Sequence, residues 1–196
     1  MKKLFVTMIA LAAAATAFAQ FPSGLSVGAG YVSSDWKTKA GSRTHTETLG
    51  GGYVNADYNI AIADFGLGVA PGIYFDLYSK KEDGVKFSEA NIGIPVMFNY
   101  AIPVADILKI TPFAGPTLQF GLSSKTKHGD DSINHYDEDY SRLQLFVGGG
   151  VAFDIADIVR VSVGYDLGLL NRNTGDEKDD FKIKNNGLHF GVAYLF

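Results

Sequence analysis

The chain has 196 residues, with 17 basic and 21 acidic side chains, and it contains 23 glycines, 14 phenylalanines and no cysteine. This acidic balance argues against a nucleic-acid-binding protein that relies on a basic surface, and the lack of cysteine excludes disulfides and a lipid-modified cysteine. The length suits one domain.

Residues 1–19 predict a secretory signal peptide that is cleaved. The segment begins with two lysines after the first methionine and continues with an apolar run too short to cross a bilayer comfortably. It ends in Ala17-Phe18-Ala19, a small-x-small cleavage site. A retained anchor helix is the alternative. Cleavage would leave residues 20–196 as the mature domain, with 15 of the 17 basic residues against 21 acidic ones and a net charge of −6.

Seven segments of the mature chain alternate between an apolar residue and a small or polar one, as strands with one apolar face do. None of the apolar rows contains a charged residue, which fits a lipid-facing surface because Arg or Lys there costs about 2 to 4 kcal/mol at mid-bilayer. The rows between them are rich in glycine, whereas a soluble sandwich would fill its outer face with charged residues. The apolar rows run from Leu25 to Tyr31, Phe65 to Leu77, Ala90 to Tyr100, Leu108 to Leu122, Leu143 to Phe153, Val159 to Leu169 and Leu188 to Phe196.

An eighth strand is predicted around Thr46 to Ile60, although three consecutive glycines break its alternation. The sequence leaves open whether Tyr53 or Val54 faces lipid, because a bulge could fall between them. Proline cannot donate to the ladder, so we also expect local bulges at the four prolines inside proposed strands. These are Pro71, Pro95, Pro112 and Pro116.

A repeated Ala-Asp pattern predicts three short turns on one rim of the sheet. The longer, charged connections then lie on the other rim, at residues 34–45, 79–86, 125–140 and 171–180. Rows and turns together predict an all-β, eight-stranded antiparallel up-and-down transmembrane β-barrel. The three turns are Ile62-Ala63-Asp64-Phe65, Val104-Ala105-Asp106-Ile107 and Ile155-Ala156-Asp157-Ile158.

Charged residues on the inward rows predict a structural polar network in the lumen. Folding the hairpin about Asp157 sets Asp154 opposite Arg160, and the same reasoning sets Asn99 opposite Lys109. Such groups need partners in a narrow interior, so a satisfied polar core is expected, with a gated pore or proton path as the alternative. The other inward charges are Asp76, Glu89, Arg142 and Asp166.

Two other patterns suggest chemistry only weakly. Ser162 and His189 face inward on neighbouring strands, but His189 falls nearer Gly164, and no third group completes a hydrolytic triad. The 125–140 connection holds five acidic residues and two histidines, yet their spacing does not match a calcium loop. We therefore expect no enzyme, no metal site and no cofactor.

The last strand carries an apolar or aromatic residue at every second position up to the end of the chain: Phe190, Val192, Tyr194 and Phe196. This ending resembles the closing strand of bacterial outer-membrane barrels, where it acts as an assembly signal. With the cleavage site, the alternating rows and the Ala-Asp turns, the mature chain resembles the small barrels of the Omp A, Omp X and PorT-like group, especially the Bacteroidota outer-membrane β-barrel domain family.

The resemblance implies an integral outer-membrane protein without a cofactor, with both termini in the periplasm. Its expected partners are outer-membrane lipid, the barrel-assembly machinery, and a surface or secretion-system partner, but no nucleic acid. The implied role is envelope structure or surface recognition through extracellular loops. Because one barrel supports unrelated tasks, a porin-like small channel and a lipid-A-modifying enzyme remain alternatives.

Overall fold

The protein is seen in a computed structural model, which describes residues 24–41, 43–62, 66–82, 84–128, 131–137, 140–175 and 181–196. No helix in these ranges is long and apolar enough to cross a membrane. The predicted signal peptide lies outside the described residues. The strands are β1 Leu25–Ala40, β2 Arg43–Tyr58, β3 Ile60–Ala61, β4 Leu67–Glu82, β5 Val85–Tyr100, β6 Ile102–Ala105, β7 Leu108–His128, β8 Asp131–Asn134, β9 Leu143–Ile155, β10 Val159–Gly168 and β11 Phe181–Leu195, with a 3-10 turn at His135–Asp137.

Eight of these strands form a closed antiparallel ring in the order β1, β2, β4, β5, β7, β9, β10 and β11. The ring closes because β11 pairs along its length with β1. The three short strands extend it: β3 pairs with β4, whereas β6 and β8 both pair with β7. The predicted eight-stranded antiparallel barrel is thus confirmed.

The apolar rows lie on the outside of the ring. Their large side chains are half exposed, as shown by the exposed fractions of Leu77, Ile94, Phe120, Val147 and Phe190, which range from 46 to 54 %. A continuous apolar surface of this size would be unfavourable in water, but it matches the hydrocarbon of a bilayer. These rows therefore form the apolar band of a transmembrane barrel.

Strand β2 resolves the question that its glycines left open. Its register with β1 continues without a shift from Leu25 opposite Tyr58 to Ala40 opposite Arg43. The side chain of Val54 is exposed on the apolar band, while Tyr53 lines the lumen. The suspected bulge is therefore absent from this pair.

The expectation of bulges at the prolines is wrong. Pro112 and Pro116 sit in continuous register with β9. The register of the β4–β5 pair is the same on both sides of Pro71, and that of the β5–β7 pair is the same on both sides of Pro95. The shift in the latter pair follows Ala90 instead. A proline removes one N–H but adds no residue, so a hydrogen bond is lost without a slip in register.

Short connections and the two ends of the described chain meet at one edge, which we call the turn rim. There Gly24 N donates to Phe196 O at 3.1 Å, and Phe196 N donates to Leu25 O at 2.9 Å. The β9–β10 turn, residues 156–158, has positive φ angles at Ala156 and Asp157, 52° and 54°, and is closed by Ile158 N, which donates to Ile155 O at 3.0 Å. Of the first predicted Ala-Asp turn, residues 63–65 lie outside the described residues.

The opposite edge, the loop rim, includes the ends of β1, β4, β7 and β10 and the starts of β2, β5 and β11. The predicted loops 34–45 and 79–86 are wrong, because β1 and β2 continue to Ala40 and from Arg43, and β4 and β5 continue to Glu82 and from Val85. Backbone pairing does not depend on an apolar side-chain face, so the ladder extends past the apolar band. Within the predicted loop 125–140, β7 reaches His128 and β8 pairs back onto it.

Candidate functional site

A polar group near the turn rim joins three inward side chains. Arg160 donates from Nε to Asp154 Oδ1 at 2.6 Å and from Nη2 to Oδ2 at 2.9 Å, and Thr111 Oγ1 donates to the same Oδ2 at 2.9 Å. Adjacent strands supply them, since β9 lies between β7 and β10. The structure thus brings together Asp154 and Arg160, and the buried carboxylate has a donor on each oxygen.

The second predicted pair does not form. Asn99 lies opposite Phe113 rather than Lys109, and its amide donates to Asn59 Oδ1 at 2.8 Å. Lys109 Nζ instead donates to Asp157 Oδ1 at 2.6 Å on the exposed β9–β10 turn. The prediction is wrong because the β5–β7 connection contains β6, which moves the fold point of the hairpin along the chain.

A carboxylate in the middle of the lumen is held by amides. Asn91 Nδ2 donates to Asp76 Oδ1 at 2.8 Å, and Gln119 Nε2 donates to Asp76 Oδ2 at 3.0 Å. Gln119 Nε2 is also 3.0 Å from the hydroxyl oxygen of Tyr74. This group ties β4, β5 and β7 together from inside and gives the predicted inward Asp76 neutral partners.

His189 lies on the opposite wall and contacts Asp166, with Nδ1 3.2 Å from Oδ2. Its ring stacks on that of Phe113, with the ring centres 6.2 Å apart, and lies edge-on to that of Tyr53, with the ring centres 6.3 Å apart. A Cβ added at Gly164 would overlap the imidazole, so this glycine makes room for it. Ser162 lines the same cavity, but among the described contacts the polar partner of His189 is Asp166.

An ion pair near the loop rim is almost completely buried. Arg172 donates from Nη1 to Glu89 Oε1 at 3.0 Å and from Nη2 to Oε2 at 3.2 Å, and their side chains are only 1 and 2 % exposed. Ser124 Oγ donates to Glu89 Oε2 at 3.3 Å. The backbone of Arg172 is held by Ile183 O, which accepts from its N–H at 2.8 Å, and by Ser141 N–H, which donates to its carbonyl at 2.8 Å.

Aromatic rings surround this ion pair. The guanidinium carbon of Arg172 is 4.6 Å from the ring centre of Trp36 and 4.9 Å from that of Tyr140, and the two rings stack 5.8 Å apart. Arg172 Nη2 also donates to the hydroxyl oxygen of Tyr136 at 3.2 Å. We call Trp36, Glu89, Tyr136, Tyr140 and Arg172 the loop-rim cluster. Cation–π contacts strengthen when the cation is desolvated, as it is here.

Titration in the cluster favours one charge state. Burial, and next the charge of Glu89, raise the pKa of Tyr136 to about 12, and burial raises the pKa of Tyr140 still further. Burial alone would lower the pKa of Arg172, but Glu89 and the two tyrosines raise it overall. At neutral pH the two phenols of the cluster are therefore neutral and Arg172 is a cation.

The lumen between the two ion pairs contains a cavity of about 180 Å³. Across this cavity, Phe113 on β7 stacks on His189 on β11. Nearer the loop rim, the ring centres of Trp36 on β1 and Phe87 on β5 are 5.2 Å apart, and these strands are not neighbours either. In the described ranges, no three His, Cys, Asp or Glu side chains converge to hold a metal ion. The interior can thus hold a few waters or a small polar solute.

A family model described as "Outer membrane protein beta-barrel domain" matches residues 4–196. The chain belongs to this outer-membrane β-barrel family. Among solved structures it is similar to Neisserial surface protein A, with a TM-score of 0.58 and 19% identity over 89% of this chain and 98% of that one. It is also similar to the attachment invasion locus protein Ail of Yersinia pestis, with a TM-score of 0.54 and 16% identity over 89% and 100%. A comparison with curated proteins finds no match.

At these identities the likeness to solved structures shows the fold alone, while the family match confirms the resemblance and gives the outer membrane as the protein's location. In this outer-membrane barrel the C-terminal row lies on β11, the strand that closes the ring. Phe190, Val192 and Tyr194 are exposed on the apolar band, and Phe196 bonds through its backbone to β1.

The positions of two arginines in the outer-membrane barrel differ from those expected from the sequence. Arg142, expected on an inward row, is half buried at the loop rim, where Nη1 donates to Gly121 O at 3.3 Å and the guanidinium carbon lies 4.4 Å from the centre of the Tyr136 ring. Arg172 was missed, because it follows β10 in an irregular segment without strand periodicity. The signal that could have found it is indirect: Glu89 faces inward with no cation at a predicted opposite position.

Proposed function

We propose that this outer-membrane barrel is a closed, non-conducting envelope protein that acts in envelope structure and surface recognition through its loop-rim segments. We further propose that it is not an enzyme and needs no cofactor. The main observation in favour of a closed lumen is the set of side-chain contacts across the barrel, above all Arg172 of the segment after β10 with Glu89 of β5, and Trp36 of β1 with Phe87 of β5. Such contacts support a lumen filled by side chains, as in other small eight-stranded barrels.

Electrical recording tests the closed lumen. Purified protein added to a planar lipid bilayer should insert without producing a stable, ohmic unit conductance. The cavity of about 180 Å³ favours a second candidate, a small channel. A reproducible unit conductance, removed by heat denaturation of the sample, would contradict the closed lumen and support that channel.

We propose that both termini face the periplasm and that the loop rim faces the cell surface. Short turns on one rim and longer connections on the other support this orientation, since outer-membrane barrels have short periplasmic turns. The chain has no cysteine, so single introduced cysteines report the orientation. Ser132→Cys should react with a membrane-impermeant maleimide in intact cells, and Asp106→Cys on the turn rim only after permeabilisation. The reverse pattern would overturn the proposed orientation.

Surface recognition is proposed from exposed side chains at the loop rim and from one similar structure. A structure of Ail in complex with the heparin analogue sucrose octasulfate matches with a TM-score of 0.50 and 13% identity over 89% of this chain and 100% of that one. Cells displaying the barrel should bind an array of immobilised host glycans and matrix proteins better than cells without it. Replacing residues 131–137 with a Gly-Ser segment of equal length should abolish binding. Because the replacement also removes Tyr136 of the loop-rim cluster, the gel migration of the unboiled sample is used to show that the barrel still closes. Equal binding by both cell types would refute this role.

For assembly we propose that the C-terminal row Phe190, Val192, Tyr194 and Phe196 engages the barrel-assembly machinery. Phe196→Ala should slow the appearance of folded barrel in the outer membrane, which is measured by the changed gel migration of unboiled samples. Phe153→Ala removes a comparable exposed ring from β9 and serves as the matched control. An equal delay in both variants would show a general loss of apolar surface rather than a signal. A secretion-system partner would be sought by crosslinking at the loop rim.

A further inference from the structure

Four exposed lysines lie together on the outer wall of the barrel near the loop rim. On three adjacent strands, Lys81 of β4 is directly opposite Lys86 of β5, and Lys86 is directly opposite Lys127 of β7. Lys125 lies one outward position nearer the apolar band than Lys127, opposite Ser88. All four side chains are exposed. We call Lys81, Lys86, Lys125 and Lys127 the lysine patch.

The lysine patch continues the lipid-facing surface rather than the lumen. Lys81 follows the exposed Leu77 by four residues, so both lie on the same face of β4. Four residues of strand span roughly 13 Å, which a barrel tilt near 40° reduces to about 10 Å of height. Each headgroup layer begins at the edge of the hydrocarbon and is about 5 to 8 Å thick. Lysine stems bend toward the phase that solvates the ammonium, so these groups reach the headgroup layer.

The positive charges of the patch are not balanced within the described part of the chain. Like charges directly opposite each other on neighbouring strands are destabilising. No ion pair of the described residues includes a lysine of the patch, whereas the nearby Lys80, which points to the other face of β4, pairs with Glu47 at 2.9 Å and Glu82 at 2.7 Å. An external anion would therefore relieve the repulsion within the patch.

Hydroxyl groups lie between the patch and the apolar band. Ser79 of β4 and Ser88 of β5 are directly opposite each other and share the outward face with the lysines. Ser123 of β7 is opposite Ala90 on the same side of the register shift as Lys125. Ammonium groups with hydroxyl donors beside them suit a phosphate, which accepts several hydrogen bonds at once.

The outer wall near the turn rim has no comparable group of unpaired lysines among the described residues. Its outward side chains near the ends of the strands are aromatic or aliphatic, including Tyr58, Tyr100 and Tyr194. The cations there, Lys109 and Arg160, are each paired with an aspartate of the barrel. Uncompensated outward lysines thus mark the loop-rim side of this wall and not the turn-rim side.

We propose that the lysine patch binds the phosphate groups of anionic lipid headgroups in the leaflet that surrounds the loop rim. The position of the patch favours a lipid over a soluble polyanion as the ligand, because headgroups of a bilayer lie against the wall immediately past the apolar band. This binding is separate from the recognition proposed for residues 131–137, and either can fail without the other.

The test compares two double variants that remove the same number of positive charges. Lys86→Gln/Lys127→Gln disrupts the patch, and Lys80→Gln/Lys109→Gln removes two lysines that already have acidic partners. Each protein is held in uncharged maltoside micelles and titrated with dioleoyl phosphatidic acid or with dioleoyl phosphatidylcholine, and bound lipid is counted by native mass spectrometry. Retention of the changed gel migration before boiling confirms that each variant is folded.

We expect the wild-type barrel to bind phosphatidic acid at least about fivefold more tightly than phosphatidylcholine, and the patch variant to lose about tenfold in affinity for phosphatidic acid. The control variant should keep the wild-type preference, and Lys86→Arg/Lys127→Arg should keep it too. No preference in the wild type, or the same loss in both double variants, would overturn the proposal. So would a patch variant that loses binding of sucrose octasulfate but keeps its lipid preference.

A measurement on the unaltered protein covers the case in which the patch variant does not fold. Raising NaCl from about 0.05 to about 0.5 M should remove most of the wild-type preference for phosphatidic acid, because screening weakens contacts between exposed charges. A preference that does not change with salt would contradict binding through exposed lysines.

Discussion

Arg172 and Glu89, which are 83 positions apart in the chain, form a two-pronged ion pair that is almost completely buried at the loop rim. The pair joins the irregular segment after β10 to the wall formed by β5. Backbone hydrogen bonds of Arg172 with Ile183 and Ser141 hold that segment as well, and the ion pair and the surrounding rings fix it to the inner wall.

Breaking this pair on one side should destabilise the barrel strongly. Arg172→Met leaves the carboxylate of Glu89 buried without a cation, and we expect a loss of about 3 to 5 kcal/mol in the free energy of unfolding. The measurement is urea unfolding in lipid vesicles, followed by the emission of Trp36, the single tryptophan of the chain. The double variant Glu89→Gln/Arg172→Met should recover part of the loss.

The matched control for that prediction is the exposed pair of Lys80 and Glu47. Lys80→Gln should leave the unfolding midpoint almost unchanged, since solvent already screens this contact. Equal effects of Arg172→Met and Lys80→Gln would show that burial of the Arg172–Glu89 pair contributes nothing to stability.

At the turn rim, two aspartates three positions apart should respond differently to the same change. Asp154→Asn removes the charge that faces Arg160 in a buried contact and should cost about 2 kcal/mol. Asp157→Asn affects an exposed contact with Lys109 and keeps a residue type that tolerates positive φ, so less than about 1 kcal/mol is expected. Both free energies are measured by urea unfolding. A larger loss for Asp157→Asn than for Asp154→Asn would contradict the view that the buried contact with Arg160 contributes more than the exposed contact with Lys109.

A glycine at position 156 should stabilise the β9–β10 turn. Ala156 has a φ of 52°, which strains a residue with a Cβ, so Ala156→Gly should stabilise the barrel by about 1 kcal/mol. Gly41 has a similar φ of 57° with open space around it, and Gly41→Ala should therefore destabilise by a comparable amount through backbone strain alone. Stabilisation by both changes would show that φ does not govern these turns.

Alkaline pH should weaken the loop-rim cluster through Tyr136. Its folded pKa of about 12 lies above the usual value of 10.0, so the stability that the neutral phenol contributes is complete below pH 10 and is lost as pH rises through 12. The unfolding free energy of the wild type should therefore fall more steeply between pH 10 and 12 than that of Tyr136→Phe. Parallel curves for the two proteins would mean that Tyr136 ionises equally easily in the folded and unfolded chain.

The sequence was sufficient for the architecture because a lipid-facing strand must be apolar at every second position. A row such as Leu143 to Phe153 therefore predicts that the segment is a strand, which of its faces contacts lipid, and which part of it lies within the bilayer. Contacts inside one short hairpin were also predictable: the three-residue connection 156–158, which is centred on Asp157, places Asp154 opposite Arg160.

Contacts that depend on longer connections were not predictable from periodicity. The position of Asn99 depended on β6, a strand of four residues inside what looked like a tight turn. Arg172 could not be placed, because a residue outside the ladders has no alternation to indicate which way it points. The loop-rim cluster combines one such residue with rings from β1 and from residues 136 and 140, and only the three-dimensional fold shows that they meet.

The seam of the ring joins the first strand to the last, with Ser26 opposite Leu195. A sheet that has formed every other pairing still carries two open edges, β1 and β11, until this seam closes. Closing the seam brings together the most distant parts of the sequence, which makes it a slow, entropically costly step. Until then those edges can pair with other chains, so productive folding depends on keeping the polypeptide apart from its neighbours until the seam has closed.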